Sequence, residues 1–296
     1  MAKQHNESKS VWIVVIILAF LFLMFVTSLA SIAYVVKTDS GEYTKIGFVQ
    51  INDTIVSSTK TIQALYQFEN DDSVKAILIR IDSPGGAVAA SQEIREAIKT
   101  LKKKSVISLG NTAASGALYI ACSGPKIYAN PGTITGSIGV ISQIVQINDL
   151  MEFLKFKVNT VKTGMYKDAG SPFREFTPED QQLFSDLGNE LYTQFVDDIV
   201  ETRKIEKNKL LKIADGRVFS GREAKNYGII DELGGLDAAI KGLKKTAGIT
   251  GEIKLIPPET PTDEILNMLL NSGADAFINK LQSLQKTNTY QYLYKP

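Results

Sequence analysis

The chain has 296 residues, with 33 Lys and Arg against 32 Asp and Glu, and a net charge of +1 argues against a protein held to nucleic acid by its overall charge. Hydrophobic residues make up 44% and charged residues 22%, ordinary globular usage that sets aside disorder, collagen-like sequence and polytopic membrane architecture. The one His, His5, stands in the polar N-terminal stretch, and the one Cys, Cys122, cannot close a disulfide within the chain.

Residues 1–10 read as a short cytoplasmic tail. From Val11 to Val36 the chain carries no charge, enough to cross a hydrocarbon core of about 30 Å at about 1.5 Å per residue, so 11–36 is expected to be a transmembrane anchor. Lys3 and Lys9 precede it, while Lys37 and Asp39 roughly cancel after it, a bias that keeps the N-terminus in the cytoplasm. The expectation is a single-pass protein of the cell membrane with its folded part on the extracytoplasmic side. A cleaved secretory signal is the rival, since Ser28-Leu29-Ala30 and Ser31-Ile32-Ala33 both have small-x-small spacing. The apolar run exceeds an h-region of about 7–15 residues, which favours the anchor, and both readings export the domain.

After a polar linker at 37–44, Lys45–Asn52 reads as a strand and Ser57–Asn70 as a helix. Next come an apolar strand at Lys75–Asp82, the loop Ser83-Pro84-Gly85-Gly86 and a helix from Val88 to about Lys103. Ser105–Leu109 is a third strand, Gly110-Asn111 a turn and Ser115–Cys122 a small-residue helix. Such alternation predicts an α/β domain with a largely parallel sheet. Ligands of open α/β sheets bind beyond the strand C-termini, which points to the loops 83–87 and 110–115. Further strands are expected at 127–129, 137–141 and 158–161, then a long helix over Pro178–Arg203. A shorter helix follows, then an N-cap at Ser220 with Glu223 three residues on, a last short strand within Tyr227–Gly235 and a helix over Leu236–Ala247. The folded domain is thus expected over 45–256. Residues 257–296 form a C-terminal region, with an amphipathic helix at Asp263–Gln285 and a tail suited to be a contact arm.

With His5 lying before the anchor, the folded part lacks imidazole, which removes His-dependent nucleophilic catalysis and His-based zinc sites. Nothing in the sequence calls for a metal, nucleotide or other cofactor. Two segments offer chemistry. The consecutive glycines 85 and 86 after a buried strand let the backbone turn sharply and expose amides able to hold an oxyanion, or they simply form a tight turn. Ser115 stands at a strand-to-helix junction among small residues, beside the Gly116 amide, either as an exposed nucleophile or as an N-cap. It is not a G-x-S-x-G elbow, because residue 113 is Ala. A nucleophilic serine without His needs another proton acceptor, and lysine becomes one when burial draws its pKa from about 10.4 toward about 7–8. Lys167 is the candidate, in a loop flanked by Gly164 and Gly170, with Tyr166 and Asp168 pointing away if that loop is extended. The Ser57/Lys60 and Ser283/Lys286 pairs also have S-x-x-K spacing but lack the companion motifs of that pattern.

Together DSPGG (82–86), NTAASGALYIA (111–121), TGSIGVI (135–141), KTGMYKDAGSPFREFT (162–177) and ADGRVFSGREAKNYGIIDELGG (214–235) resemble the signal peptide peptidase A family, in its short single-domain form. The similarity runs from about Lys45 to Ala247. It implies a ClpP/crotonase-like fold and a Ser-Lys serine endopeptidase, with Ser115 as nucleophile and Lys167 as general base. The resemblance also implies an oxyanion hole from the amides of Gly86 and Gly116, and a helper hydroxyl on Ser137. It further implies peptide substrates of the remnant signal peptide class, no cofactor, and a homo-oligomeric ring, with the dyad formed either within one subunit or across subunits. Ala117 and Leu118 depart from the Gly and aromatic of many relatives, which bears on packing beside the nucleophile. The alternatives are a crotonase-like acyl-CoA enzyme, against which export counts, and a catalytically inactive membrane scaffold.

Overall fold

A computed structural model describes residues 17–28 and 43–259. Residues 17–28 form a helix, α1, whose large apolar side chains are exposed. Among the described residues no helix is long and apolar enough to cross a membrane. The expected tail at 1–10, the ends of the 11–36 segment, most of the 37–44 linker and residues 260–296 lie outside the described residues.

The domain that follows begins with β1 (Tyr43–Asn52), α2 (Thr59–Asn70), β2 (Val74–Ser83), α3 (Val88–Lys99), β3 (Lys104–Ala114) and α4 (Gly116–Ala121). Two short strands, β4 (Ile127–Ala129) and β5 (Ile134–Gly136), precede α5 (Asn148–Phe153), the long α6 (Pro178–Arg203) and α7 (Lys207–Leu211). The chain closes with β6 (Val218–Ser220), α8 (Gly221–Asn226), β7 (Glu232–Leu233), α9 (Leu236–Ala247) and β8 (Glu252–Ile256).

One sheet joins these strands in the order β6-β5-β3-β2-β1-β8, with β4 and β7 branching from β3. The pairs β1–β2, β2–β3, β3–β4, β3–β5 and β4–β7 are parallel and β5–β6 is antiparallel. Side-chain alternation divides the core between the two faces. On β2, Ile77, Ile79 and Ile81 join the larger cluster with Leu65 and Phe68 of α2 and Ile94 of α3. Ala76 and Leu78 point the other way, onto Ala239 and Leu243 of α9. A strand buried on both faces must be apolar at nearly every position, which is why KAILIRID shows no polar alternation.

Three sequence expectations change. Strand β3 runs through the expected Gly110-Asn111 turn, because its first half pairs with β4 and residues 112–114 pair with β5. No strand forms at 137–141: Gly136 and Ser137 both have positive φ, 87° and 52°, and two such residues in succession end a ladder. Residues 158–161 also lack strand structure; Val158 and Val161 are exposed and no neighbouring strand offers them a ladder. The short helix α5 and the edge strand β8 were not foreseen.

The helices at 178–203 and 236–247 fall where the sequence places them. Helix α6 opens on a capping box: Thr177 Oγ1 accepts from the Asp180 amide at 3.2 Å and the Asp180 carboxylate accepts from the Thr177 amide at 3.1 Å. Ser220 and Glu223 repeat the arrangement at α8. Arg174 pairs with the buried Asp180 and, at 3.2 Å, with Asp168. Its guanidinium holds the Asp180 carboxyl down at about 2, while Lys162 and then Arg174 draw Asp168 below the usual carboxylate range. A carboxyl depressed by folding adds stability above its ordinary value near 3.8, and that stability is lost as pH falls through the folded value. Urea-unfolding midpoints are therefore expected to drop between about pH 4 and pH 2, and Arg174→Leu to shrink that drop. An equal drop in both proteins would show that this cluster contributes nothing.

Candidate active site

The site is built where β2 and β3 end. Ile81 faces Leu109, but Ser83 faces Ala113, so β3 spends two more residues than β2 on the same advance. Asp82 fills the gap: its carboxylate accepts from the Thr112 amide at 3.0 Å and from Asn111 Nδ2 at 3.3 Å. The aspartate of DSPGG thus props up the strand end that carries Ser115.

Ser115 is the single residue between β3 and α4. Its amide donates to Gly136 O at 2.9 Å and its carbonyl accepts from Tyr119 at 2.9 Å, one bond to the sheet and one to the helix. Its backbone stands at φ 52° and ψ −125°, a sparsely populated conformation that costs a non-glycine residue about 1–3 kcal/mol. The hydroxyl makes no capping bond, so the N-cap role the local sequence allowed is not the one Ser115 takes.

The glycine loop lies against this junction. Ser83 Oγ accepts from the Gly85 amide at 3.1 Å, and Gly85 has φ 102°, open to glycine at little cost. Ile55 donates to Gly85 O at 2.9 Å and accepts from the Ala87 amide at 2.7 Å. In such a parallel bridge the amide of the middle residue, Gly86, points away from Ile55. Gly116 opens α4, so its amide has no acceptor within the helix. A Cβ on Gly116 would lie 3.3 Å from Gly86 N and 2.6 Å from Ser91 Oγ. Two amides without helix or ladder partners therefore sit close together beside Ser115.

Ser115, Gly86 and Gly116 line one cavity of about 100 Å³, walled by Val88, Ser91, Gln92, Tyr119, Val140, Ile141, Leu191 and Phe195 among others. A larger cleft of about 900 Å³ adjoins it through Gly139, Val140 and Ile141 and runs along α6, but Ser115 is not in its wall. The smaller cavity holds the hydroxyl and the amides, so it is the one with chemistry. Its far wall was not singled out in the sequence; Leu191 and Phe195 stand four apart on α6, a spacing that marks one helix face without saying what that face meets.

The remaining expected residues fall differently. Ser137 follows Gly136, the acceptor of the Ser115 amide, and its own amide donates to Arg217 O at 2.7 Å; it is partly buried but does not line the cavity. Lys167 is exposed, lies outside that cavity and is not brought to Ser115 within the chain. Its loop is a series of turns rather than extended, since the Asp168 and Ser171 ends are tied to Lys162, Arg174 and one another. Asp168 does not pair with Lys167: it is held by Lys162 at 2.5 Å and Arg174 at 3.2 Å. Burial pushes the Cys122 thiol up to about 12, which disqualifies it as a nucleophile. Among the described residues no His, Cys, Asp and Glu group gathers to hold a metal ion.

The profile of peptidase family S49 matches residues 97–250, and that of Clp protease matches residues 44–135, in agreement with a ClpP-like α/β fold. A candidate protease of Methanocaldococcus jannaschii is 39% identical over 191 residues, 64% of this chain and 61% of that protein. Another candidate protease, of Synechocystis sp., is 40% identical over 209 residues, 69% of this chain and 75% of its own length. A candidate signal peptide peptidase of Enterococcus faecium is 33% identical over 189 residues, 63% of this chain and 55% of that protein. The chain thus spans between about half and three quarters of these relatives. On the match over more than half its length, together with the Synechocystis relative, the chain belongs to peptidase family S49, a family of serine peptidases.

Proposed function

We propose that the protein is a membrane-anchored serine endopeptidase that degrades remnant signal peptides, with Ser115 as nucleophile and Lys167 as general base. One observation carries the reading: Ser115 is held at φ 52° with its hydroxyl uncommitted, in a cavity it shares with Gly86 and Gly116. The lysine takes the Ser115 proton as Oγ attacks a peptide carbonyl, and the Gly86 and Gly116 amides receive the oxyanion. The lysine then gives its proton to the departing amine, and water enters by the same route in reverse to release the acyl group. Ser137 is assigned to hydrogen-bond the lysine.

The distance from Lys167 to this cavity favours a dyad completed between copies in a ring. Supporting it is the exposed apolar character of the segment that leads to Lys167: Ile141, Val145, Phe153, Phe156, Val161 and Met165 all face outward. A surface of that kind marks an interaction site. A second copy covering it would also cover the loop that carries Lys167. The uncharged run at 11–36 and the exposed apolar side chains of α1 support the anchor. An anchored enzyme with a cavity walled by Val88, Val140, Ile141, Leu191 and Phe195 suits apolar peptides left in a membrane.

Ser115→Ala and Lys167→Ala are each expected to abolish cleavage of a fluorogenic peptide. Co-assembled in equal amounts, the two variants should recover about one quarter of wild-type activity, the share of interfaces that unite an intact serine with an intact lysine in a head-to-tail ring. No recovery in a mixed assembly would place both groups in one chain or remove the lysine from the mechanism. Gly116→Ala puts a methyl group against Ser91 and beside the proposed oxyanion; kcat is expected to fall by about 100-fold or more with KM little changed. A fall confined to KM would reject the oxyanion role.

A further inference from the structure

Three helices wall the cavity beside Ser115, and one buried charge joins them. Arg95 of α3 is only 3% exposed; its Nη2 lies 3.0 Å from Asp198 and 3.7 Å from Glu201, both on α6, and its Nη1 pairs with Glu96. Asp198 also accepts from the hydroxyl of Tyr119 on α4. The guanidinium stands 5.4 Å from the centroid of the Tyr119 ring, and that ring meets Phe195 edge to face at 5.0 Å and 87°. Tyr119 and Phe195 both line the cavity. Burial and the Asp198 carboxylate push the Tyr119 phenol up, so it stays protonated and donating.

Ion pairs taken out of water return little stability compared with apolar packing of the same volume. What this network delivers is position: the Tyr119 ring can neither swing away from Phe195 nor slide along α6 while its hydroxyl is held by Asp198. The remaining space, about 100 Å³, is smaller than an apolar cavity of about 150 Å³ that holds benzene. A branched aliphatic side chain fits it more readily than a phenyl ring. We propose that Tyr119, braced by Asp198 and Arg95, sets the depth of the cavity and so restricts the residue on the acyl side of the cleaved bond to short aliphatic side chains.

The inference rests on the peptidase reading and adds the substrate feature and the residue that selects it. The test uses the full-length protein in detergent and fluorogenic peptides differing only in the residue before the scissile bond: Ala, Val, Leu or Phe. Wild type should favour Leu or Val over Phe by at least about tenfold in kcat/KM. Tyr119→Ala should raise the Phe-to-Leu ratio about tenfold or more, and Phe195→Ala, which opens the same wall from α6, should raise it too. Tyr119→Phe keeps the ring but releases it from Asp198, and should raise the ratio too, by less than Tyr119→Ala does. A ratio is indifferent to how much of a variant folds. If the ratio stays at its wild-type value in both alanine variants while Leu peptides are still cleaved, Tyr119 does not gauge the cavity. If the wild type cleaves none of the four, this inference falls together with the peptidase reading.

Discussion

The fold turns on the end of β3, which must join a parallel sheet to a helix through one residue. Ser115 gives its amide to Gly136 and its carbonyl to α4. It does so at a positive φ, and the surroundings hold it there. Asp82 props up the two extra residues of β3, Ser83 shapes the glycine turn, and Ile55 ties that turn down from the other side. Strain of this kind persists only where the neighbouring structure over-determines it. The same geometry that strains the backbone leaves the serine hydroxyl uncommitted beside two amides.

The charges around α6 do related work at a distance. Arg174 gathers Asp168 and Asp180 and so fastens the Lys167 loop to the start of the helix that also walls the cavity. Lys162 takes the other side of Asp168, so the carboxylate next to Lys167 in sequence is committed elsewhere. Loop, helix and cavity wall are thus one connected unit.

Much of this was legible in the sequence, and the reasons differ from element to element. Helices α6 and α9 were read at their observed bounds because a capping threonine before Pro178 and a glycine after Ala247 punctuate them. Strand β2 was legible as an uninterrupted apolar run between polar ends. The end of β3 was misread because Gly110 and Asn111 are turn residues by local preference, while pairing with β5 and the Asp82 carboxylate override that preference. Residues 137–141 and 158–161 have strand-like periodicity, but a strand needs a partner edge, and periodicity does not report one. Of the site, the serine and the glycines were legible as small residues at strand ends. Tyr119, Phe195, Arg95 and Asp198 were not, because their roles depend on which helix faces meet across the fold.

The central claim is that the backbone geometry at residue 115 presents the serine hydroxyl for reaction, uncommitted and beside the Gly86 and Gly116 amides. The most direct measurement treats the full-length protein with a fluorophosphonate and locates the adduct by mass spectrometry of its peptides. The account predicts a single adduct, on Ser115, that is absent from heat-unfolded protein. Labelling at another residue, or equal labelling of folded and unfolded chains, would contradict it.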